Sequence, residues 1–347
     1  MSRLSHRLFW VLPLSALTVA LAACSGTVAP SSAATSAAPA ASTAASAAAS
    51  APAAASSAPS AAASAAAPAA SAAASAVALG SPLPAVSENP TIAATVPAAV
   101  RSRGTLVVAS DVSYPPFESF ASNGTTVVGF DADMAQAIGA VLGLKVQMTN
   151  VTFDEIIPGL AANKYDIAMS SIGDTKARQQ VVDFVTYYWN GSAIAVPTGN
   201  PRHLATNSLC GAKVAVERGT LQQTTMLPAD ATACQKAGKP APVVEAFKDA
   251  NSTLLALASG RVDAVLADAV TLDYAATQQP GKFEVAGPVV RNANPGGVAI
   301  PKGSGLLDPI HQAIQELMAN GTYKAIIDKW GLQSIAISSS AINGALQ

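Results

Sequence analysis

The chain has 347 residues, and its 20 Lys and Arg nearly balance 21 Asp and Glu to give a formal net charge of −1. This balance leaves no basic stripe, which excludes a nucleic-acid-binding protein as the expected class. The three histidines are scattered at positions 6, 203 and 311, and this pattern predicts no metal site and no cofactor.

The first 23 residues have the pattern of an export signal. Arg3 and Arg7 precede an apolar run over residues 8–20, which is too short to cross a membrane comfortably. The run ends in "LAAC", residues 21–24, and this ending resembles the lipobox of bacterial lipoproteins. The resemblance implies cleavage before Cys24, a lipid on its sulfur, and anchoring at the extracytoplasmic face of the cell membrane. The alternative is an ordinary secretory signal with an incidental cysteine.

Residues 24–96 are almost entirely Ala, Ser and Pro after the cysteine. No Asp, Glu, Lys or Arg occurs between Arg7 and Glu88. Such a segment lacks the large apolar side chains that offset chain entropy, and its prolines interrupt the helices that alanine favours. The sequence therefore predicts a disordered tether over 24–96.

The next part of the chain alternates between strand and helix patterns. Strands are predicted over 105–110, 145–151 and 166–169, and helices over 130–143 and 153–164. Asp131 is expected to cap the first of these helices, and a further helix is expected from the serines at 170–171 through Arg178. This βαβαβ order predicts a mostly parallel sheet with helices on both faces.

A second series of elements follows residue 197. Strands are predicted over 212–220, 262–268 and 297–302, with a helix over 252–261 and two helices within 306–332. Cys210 and Cys234 form an even pair in an exported chain, which predicts a disulfide between them. The sequence thus predicts two α/β lobes and a C-terminal helical segment.

Polar side chains follow the predicted strands of both series. Ligands of open parallel sheets bind outside the carboxyl ends of the strands. The polar residues there are Asp111, Ser170, Ser171, Glu217, Thr220 and Asp268, with Tyr114 and Phe153 nearby. A guanidinium such as that of Arg178 suits a carboxylate, and a carboxylate such as Asp268 suits an ammonium. Together they predict a site for a zwitterion, although each residue alone also fits a helix cap or a surface charge.

Six segments carry a family resemblance, and they occur in a consistent order. They read "SDVSYPPFE", "VGFDADMAQAI", "FDEIIPGLAANKYDIAMSS", "DTKARQQVVDF", "GRVDAVLAD" and "ANGTYKAIIDKWGL". From about residue 103 to 332 the chain resembles the family 3 extracellular solute-binding proteins, the polar amino-acid receptors of ABC importers. The resemblance implies an α/β, two-lobed periplasmic-binding-protein fold of type II with a hinge. Lobe 1 is expected over 97–195 and 296–335, lobe 2 over 196–295, and a tail over 336–347, with the hinge near 195–197 and 292–297.

The resemblance also implies how the head of an amino acid is held. Arg178 matches the family's ligand for the α-carboxylate, and Thr220 belongs to a turn that donates to the same group. Asp268 matches the ligand for the α-ammonium. Ser171 matches a second ammonium contact, and Ser170 lies beside it.

Three further residues match the family's side-chain pocket, namely Asp111, Tyr114 and Phe153. The sequence departs from the family pattern at two positions. Gly173 stands where Ser or Thr is common, so only its backbone N–H can serve, and Leu221 stands where a second Thr is frequent.

The predicted function is a lipid-anchored, monomeric receptor that binds an amino acid and delivers it to ABC permease transmembrane subunits. One alternative is an enzyme on the same scaffold, such as a dehydratase acting on a cyclohexadienyl acid. The sequence offers no cleft histidine and no nucleophile with a partnered base, so no catalytic residue is predicted. The other alternative is a ligand-binding sensor module.

The sequence gives opposing indications of which ligand side chain is preferred. Asp111, Glu118 and Asp131 favour a cationic side chain, whereas Arg218 favours an acidic or polar one.

Overall fold

The structure is a computed structural model, and it describes residues 84–346. The predicted signal peptide, the lipid site at Cys24 and most of the predicted tether lie outside the described residues. Within residues 84–346, the longest apolar helices fall short of what a membrane crossing requires.

Thirteen strands occur in the described part of the chain. In chain order they are β1 Thr105–Ser110, β2 Ser113–Tyr114, β3 Glu118–Phe120, β4 Val127–Val128, β5 Lys145–Asn150, β6 Ile167–Ala168, β7 Val182–Tyr188, β8 Gly191–Pro197, β9 Lys213–Glu217, β10 Val243–Phe247, β11 Ala264–Asp268, β12 Phe283–Arg291 and β13 Gly296–Pro301. The short strands β2, β3 and β4 form a small antiparallel sheet of their own. The other ten strands form two five-stranded sheets.

The α-helices of residues 84–346 flank these sheets. They are α1 Pro90–Ala93, α2 Ala98–Arg103, α3 Phe130–Val141, α4 Phe153–Ala161, α5 Leu227–Lys236, α6 Ala250–Ala258, α7 Ala269–Gln278, α8 Leu307–Ala319 and α9 Thr322–Trp330. The two predicted C-terminal helices are α8 and α9, and they are separated at Asn320-Gly321 as expected.

The first sheet has the strand order β5-β1-β6-β13-β7. Strand β1 pairs in parallel with β5 and β6, whereas β13 is antiparallel to β6 and β7. Side chains alternate between the two faces of a strand. Accordingly Val108 packs into the core cluster shared with α3, α8 and α9, while the next residue, Ala109, packs with α4. The apolar strand pattern therefore produces a sheet covered by helices on both faces, as predicted.

The second sheet has the order β10-β9-β11-β8-β12. Strand β9 is parallel to β10 and β11, and β8 is antiparallel to β11 and β12. Ala193 and Ile194 of β8 pack into separate core clusters on the two faces. A disulfide joins Cys210, ahead of β9, to Cys234 in α5, which confirms the predicted pairing.

The chain passes between the two sheets twice. The first crossing is at residues 189–190, between β7 and β8, and the second is at 292–295, between β12 and β13. The two crossings touch, since Asn292 N donates to Asn190 O at 3.1 Å. The first crossing was expected near 195–197, but those residues end β8, an apolar strand that belongs to the second sheet. The lobe ranges as a whole stay a prediction.

Residues 90–96 fall within the predicted tether, and there the prediction is wrong. Asn89 caps α1 by accepting from Thr91 N and Ile92 N, and its amide donates to Glu316 at 2.7 Å. Ile92 and Val96 are buried in the core cluster of the first sheet. These two large apolar side chains break the Ala/Ser/Pro pattern, so this stretch can bury surface and fold.

The segment predicted as a C-terminal tail packs along the outer edge of the first sheet. Ile342 forms a bridge with Val185 of β7, and Asn343 Oδ1 accepts from Phe184 N at 2.8 Å. Further on, Ala345 N donates to Asp174 at 3.0 Å. The segment thereby covers unpaired backbone groups of β7, the edge strand of its sheet.

Candidate functional site

A cavity lies between the two large sheets, where strands of both end. The structure brings all nine predicted ligand-binding residues to its lining: Asp111, Tyr114, Phe153, Ser170, Ser171, Gly173, Arg178, Thr220 and Asp268. The first seven lie in or beside the first sheet, and the last two follow strands of the second. Their individual contacts with a ligand stay a prediction.

The two serines after β6 serve different purposes. Ser170 Oγ accepts from Asp111 N and donates to Glu118 Oε1, both at 2.8 Å, so it ties the ends of two strands together. Ser171 has a left-handed backbone, with φ of 44°. Its hydroxyl donates to Asp268 Oδ2 at 2.9 Å, across the cavity. Of these two serines, Ser171 is therefore the one that links the two sheets.

The prediction of a helix from Ser170 and Ser171 through Arg178 is wrong. The loop contains bends and a β-bridge, and a short 3₁₀ turn, Arg178–Gln180, follows it. Gly173 pairs with Gly296 in a β-bridge, and Asp174 N donates to Pro295 O at 2.8 Å. Because these backbone groups bond to the crossing before β13, they are not available for helical bonds.

Asp131 does not cap α3, so that prediction is also wrong. Its carboxyl accepts from Ser171 N at 2.8 Å and from the Tyr187 hydroxyl at 2.6 Å. Burial raises the pKa of Asp131 to about 6, and it raises the pKa of the neighbouring Glu118 well above its usual range. Neither acid lines the cavity. Both lie behind the serines and hold them in place.

Arg178 bridges the two halves of the cavity. Its Nη1 donates to Gly173 O at 2.7 Å and its Nη2 to Gly219 O at 2.9 Å. Its Cζ lies 5.5 Å from the centre of the Phe153 ring. Burial lowers the pKa of Arg178, but a guanidinium stays protonated in proteins. No carboxylate of the described residues forms an ion pair with it, so it is a half-buried cation able to accept an anion.

Asp268 is a buried carboxylate surrounded by donors. Besides Ser171, the side chain of Gln222 donates to its Oδ1 at 2.8 Å. Its backbone N–H donates to the Tyr114 hydroxyl at 3.0 Å. Burial raises the pKa of Asp268 to about 6, although hydrogen bonds from Ser171, Gln222 and two asparagines oppose the shift.

Asp111 and Glu217 meet across the cavity. Asp111 follows β1, Glu217 ends β9, and their carboxyl groups hydrogen-bond to each other. Burial is the largest cause that raises the pKa of each acid. It raises the pKa of Glu217 well above its usual range. Asp111 also accepts from Phe153 N at 3.0 Å. Glu217 was not among the predicted ligand contacts, although its place at a strand end matches that of Asp111.

Other lining residues were missed as well, among them Gln222 and Asn292, and one open question is answered. Gln222 lines the cavity two residues after Thr220, and Asn292 lines it at the second crossing. Arg218 instead pairs with Asp154 at 3.3 Å, half-exposed and outside the lining. Its charge therefore gives no reason to expect an acidic ligand side chain.

The chain also matches a known protein family. The sequence profile described as "Bacterial extracellular solute-binding proteins, family 3" matches residues 106–333. The chain belongs to this family. The match includes both sheets and all nine predicted ligand-binding residues, and it confirms the resemblance seen in the sequence.

Curated relatives of this solute-binding protein are named for amino acids. The chain is 31% identical over 254 residues to "Arginine-binding protein ArgT" of Corynebacterium glutamicum, which covers 73% of this chain and 83% of the relative. It is 30% identical over 260 residues to the "L-arginine-binding protein" of Pseudomonas aeruginosa, with 73% and 94% covered. It is also 30% identical over 231 residues to the "Histidine-binding periplasmic protein" of Escherichia coli, with 64% and 86% covered. These relatives are named as binding proteins rather than as enzymes.

Solved structures confirm the predicted fold class. "An ancestral arginine-binding protein bound to arginine" matches with a TM-score of 0.60 and 35% identity, over 66% of this chain and 98% of that one. The ancestral amino acid-binding protein AncCDT-1, a precursor of cyclohexadienyl dehydratase, matches with a TM-score of 0.57 and 31% identity, over 67% and 97%. The solute-binding protein thus has the α/β periplasmic-binding-protein fold.

Proposed function

We propose that this solute-binding protein is an extracytoplasmic receptor that binds a polar amino acid between its two sheets and delivers it to an ABC importer. The observation that carries the proposal is that a half-buried cation, Arg178, and a buried carboxylate, Asp268, line one cavity. An amino acid carries the complementary pair of charges on adjacent groups. Relatives named as arginine- and histidine-binding proteins support the same ligand class.

The α-carboxylate is assigned to Arg178. A guanidinium has five N–H donors, and the two bonds to Gly173 O and Gly219 O leave others for an anion. The α-ammonium is assigned to Asp268 and Ser171, whose oxygens lie 2.9 Å apart and accept hydrogen bonds. The ligand head would thus form charge-assisted hydrogen bonds on both sides of the cavity.

Closure is the proposed signal to the permease. Arg178 and Ser171 lie on the side of the first sheet, and both bond across the cavity to residues on the side of the second, Gly219 and Asp268. A ligand that contacts both sides adds further bonds across the cleft and stabilises the closed form relative to an open one.

The decisive experiment is calorimetric titration of the purified protein with the common amino acids. Saturable binding of at least one of them, by folded protein, is expected. If folded protein binds no amino acid, the proposed function fails.

The lipid anchor is part of the proposal, and "LAAC" supports it. In cells, Cys24→Ser is expected to move the protein from the membrane fraction to the soluble extracytoplasmic fraction, since the modified sulfur is lost. The measurement is fractionation followed by immunoblotting. An unchanged membrane fraction would argue against the anchor.

We also propose that the receptor acts as a monomer, which light scattering of the purified protein would check.

Gly173→Ser is expected to tighten amino-acid binding by about fivefold, through one added hydrogen bond of about 1 kcal/mol. A Cβ at this position would lie 3.6 Å from Arg178 Nη1, an ordinary van der Waals contact, so the site has space for it. Gly173→Ala is the control, because it adds the Cβ without the hydroxyl. Equal affinities for the two variants, measured by calorimetry, would show that the missing hydroxyl has no role.

A further inference from the structure

Two carboxylic acids face each other in the cavity, and no basic side chain of the described residues lies between them. Asp111 and Glu217 are 4% and 5% exposed and come from different sheets. Two ionised carboxylates both accept and neither donates, so their mutual hydrogen bond requires one shared proton. One oxygen of the pair, Glu217 Oε1, is buried without a hydrogen-bond partner in the described part of the chain. Because both acids line the binding cavity, a bound ligand can supply the donor that this acceptor lacks.

The surroundings of the pair are acidic. The ionisable groups that interact with it are Asp249, Asp268, Glu118 and the Tyr114 hydroxyl. Lys248 is exposed and lies 3.8 Å from Asp249, and Arg218 pairs with Asp154. Arg178, the cation of the cavity, interacts with Asp268 and Asp174. Within residues 84–346, neither acid of the pair forms an ion pair with a cation.

A second, larger cavity shows which end of the site is open. It adjoins the first along Phe153, Arg178 and Leu221, and neither Asp111 nor Glu217 lines it. The opening is thus on the side of the proposed carboxylate ligand. The acid pair lies away from it, where the side chain of a bound amino acid would extend.

We infer that Asp111 and Glu217 together form a subsite for a cationic amino-acid side chain, and that the proton they share is released to solvent when the cation binds. The inference rests on the proposed function and deepens it. The bound cation supplies the donor that Glu217 lacks and allows both carboxyls to ionise. Since the two acids come from different sheets, the cation also joins the sheets at this end, as Arg178 does at the other.

The test compares L-arginine with L-citrulline, which has the same length but a neutral urea in place of the guanidinium. Both are titrated by calorimetry near pH 7 in two buffers of different ionisation enthalpy, which reports the protons released. The contributions of Asp268 and of the ligand head are the same for both ligands, so the difference isolates the pair. We expect arginine to bind about 10- to 100-fold more tightly and to release about one more proton than citrulline.

Glu217→Gln makes the test specific. It is expected to reduce the preference for arginine at least tenfold and to abolish the extra proton, while citrulline binding shows that the variant is folded. Glu155→Gln is the matched control, because it removes an exposed carboxylate from α4 without touching the pair. It is expected to behave as the wild type.

The possible failures are distinguishable. If wild-type protein binds both ligands with equal affinity, or releases equal numbers of protons with both, the inference is overturned and the proposed function stands. If folded protein binds neither these nor any other amino acid, both fail.

Discussion

Arg178→Ala is expected to weaken amino-acid binding by about 100-fold or more. The α-carboxylate would be buried without its counter-charge, and losing a charged hydrogen-bond partner in a buried site costs about 3 kcal/mol. The substitution also removes the bond to Gly219 O, one of the links between the two sheets. Calorimetric titration with the tightest-binding amino acid measures the loss.

Two variants control this experiment. Arg178→Lys keeps the charge but cannot donate in a fork, so it is expected to recover only part of the affinity. Arg218→Ala removes a neighbouring cation that pairs with Asp154 outside the cavity, and it is expected to bind normally. If Arg178→Ala binds as well as Arg218→Ala, Arg178 is not the carboxylate ligand.

The strand ends were predictable because burial leaves a strong trace in the sequence. A run such as "TLVVAS" is apolar since both faces of its strand are covered, and the first polar residue after it, Asp111, marks the sheet edge. The same reasoning located Ser170, Ser171 and Asp268. Each of these positions follows from a local apolar pattern and from the rule that ligands bind at the carboxyl ends of parallel strands. The sequence was therefore sufficient to predict them.

The loop before Arg178 could not be predicted in the same way. Its conformation depends on Gly296 and Pro295, which lie more than a hundred residues further along the chain. A local pattern that favours a helix carries no information about such partners. Asp131 was misread for the same reason, since its partners Ser171 and Tyr187 become neighbours only once the sheet has formed.

The pairing of Glu217 with Asp111 could not be predicted for a different reason. Its position at the end of β9 was evident, but the sequence gives no sign that β9 and β1 face each other across the cavity. The pairing with Asp111 is a property of how the two sheets meet. What the sequence supplies is the residue type, and what the structure supplies is the partner that makes it a subsite.

The second large effect is a pH dependence that originates at Asp268. Without ligand, burial holds its pKa at about 6, above the ordinary 3.8. A bound ammonium requires the ionised form. For a ligand with a neutral side chain, such as citrulline, affinity is therefore expected to fall about tenfold for each pH unit below about 6. Calorimetric or fluorescence titration between about pH 4.5 and 7.5 measures this slope.

Stability of the ligand-free protein responds to the same group with the opposite sign. A carboxyl with a raised pKa contributes stability that is fully present below about 3.8 and is lost as the pH rises through about 6. The free protein thus gains from protonating Asp268, whereas the complex gains from ionising it. The thermal stabilisation produced by ligand should consequently grow between about pH 5 and 7.

Asp268→Asn separates this group from the other buried acids. Asparagine keeps the shape and the hydrogen-bonding oxygen but has no charge, so binding near pH 7 is expected to weaken by about 100-fold and to lose its slope below about pH 6. Asp131 titrates in the same range but lies behind Ser171 and outside the cavity lining, so it should not replace the lost slope. A slope that persists in Asp268→Asn would assign the titration to another buried acid and leave the ammonium without its proposed counter-charge.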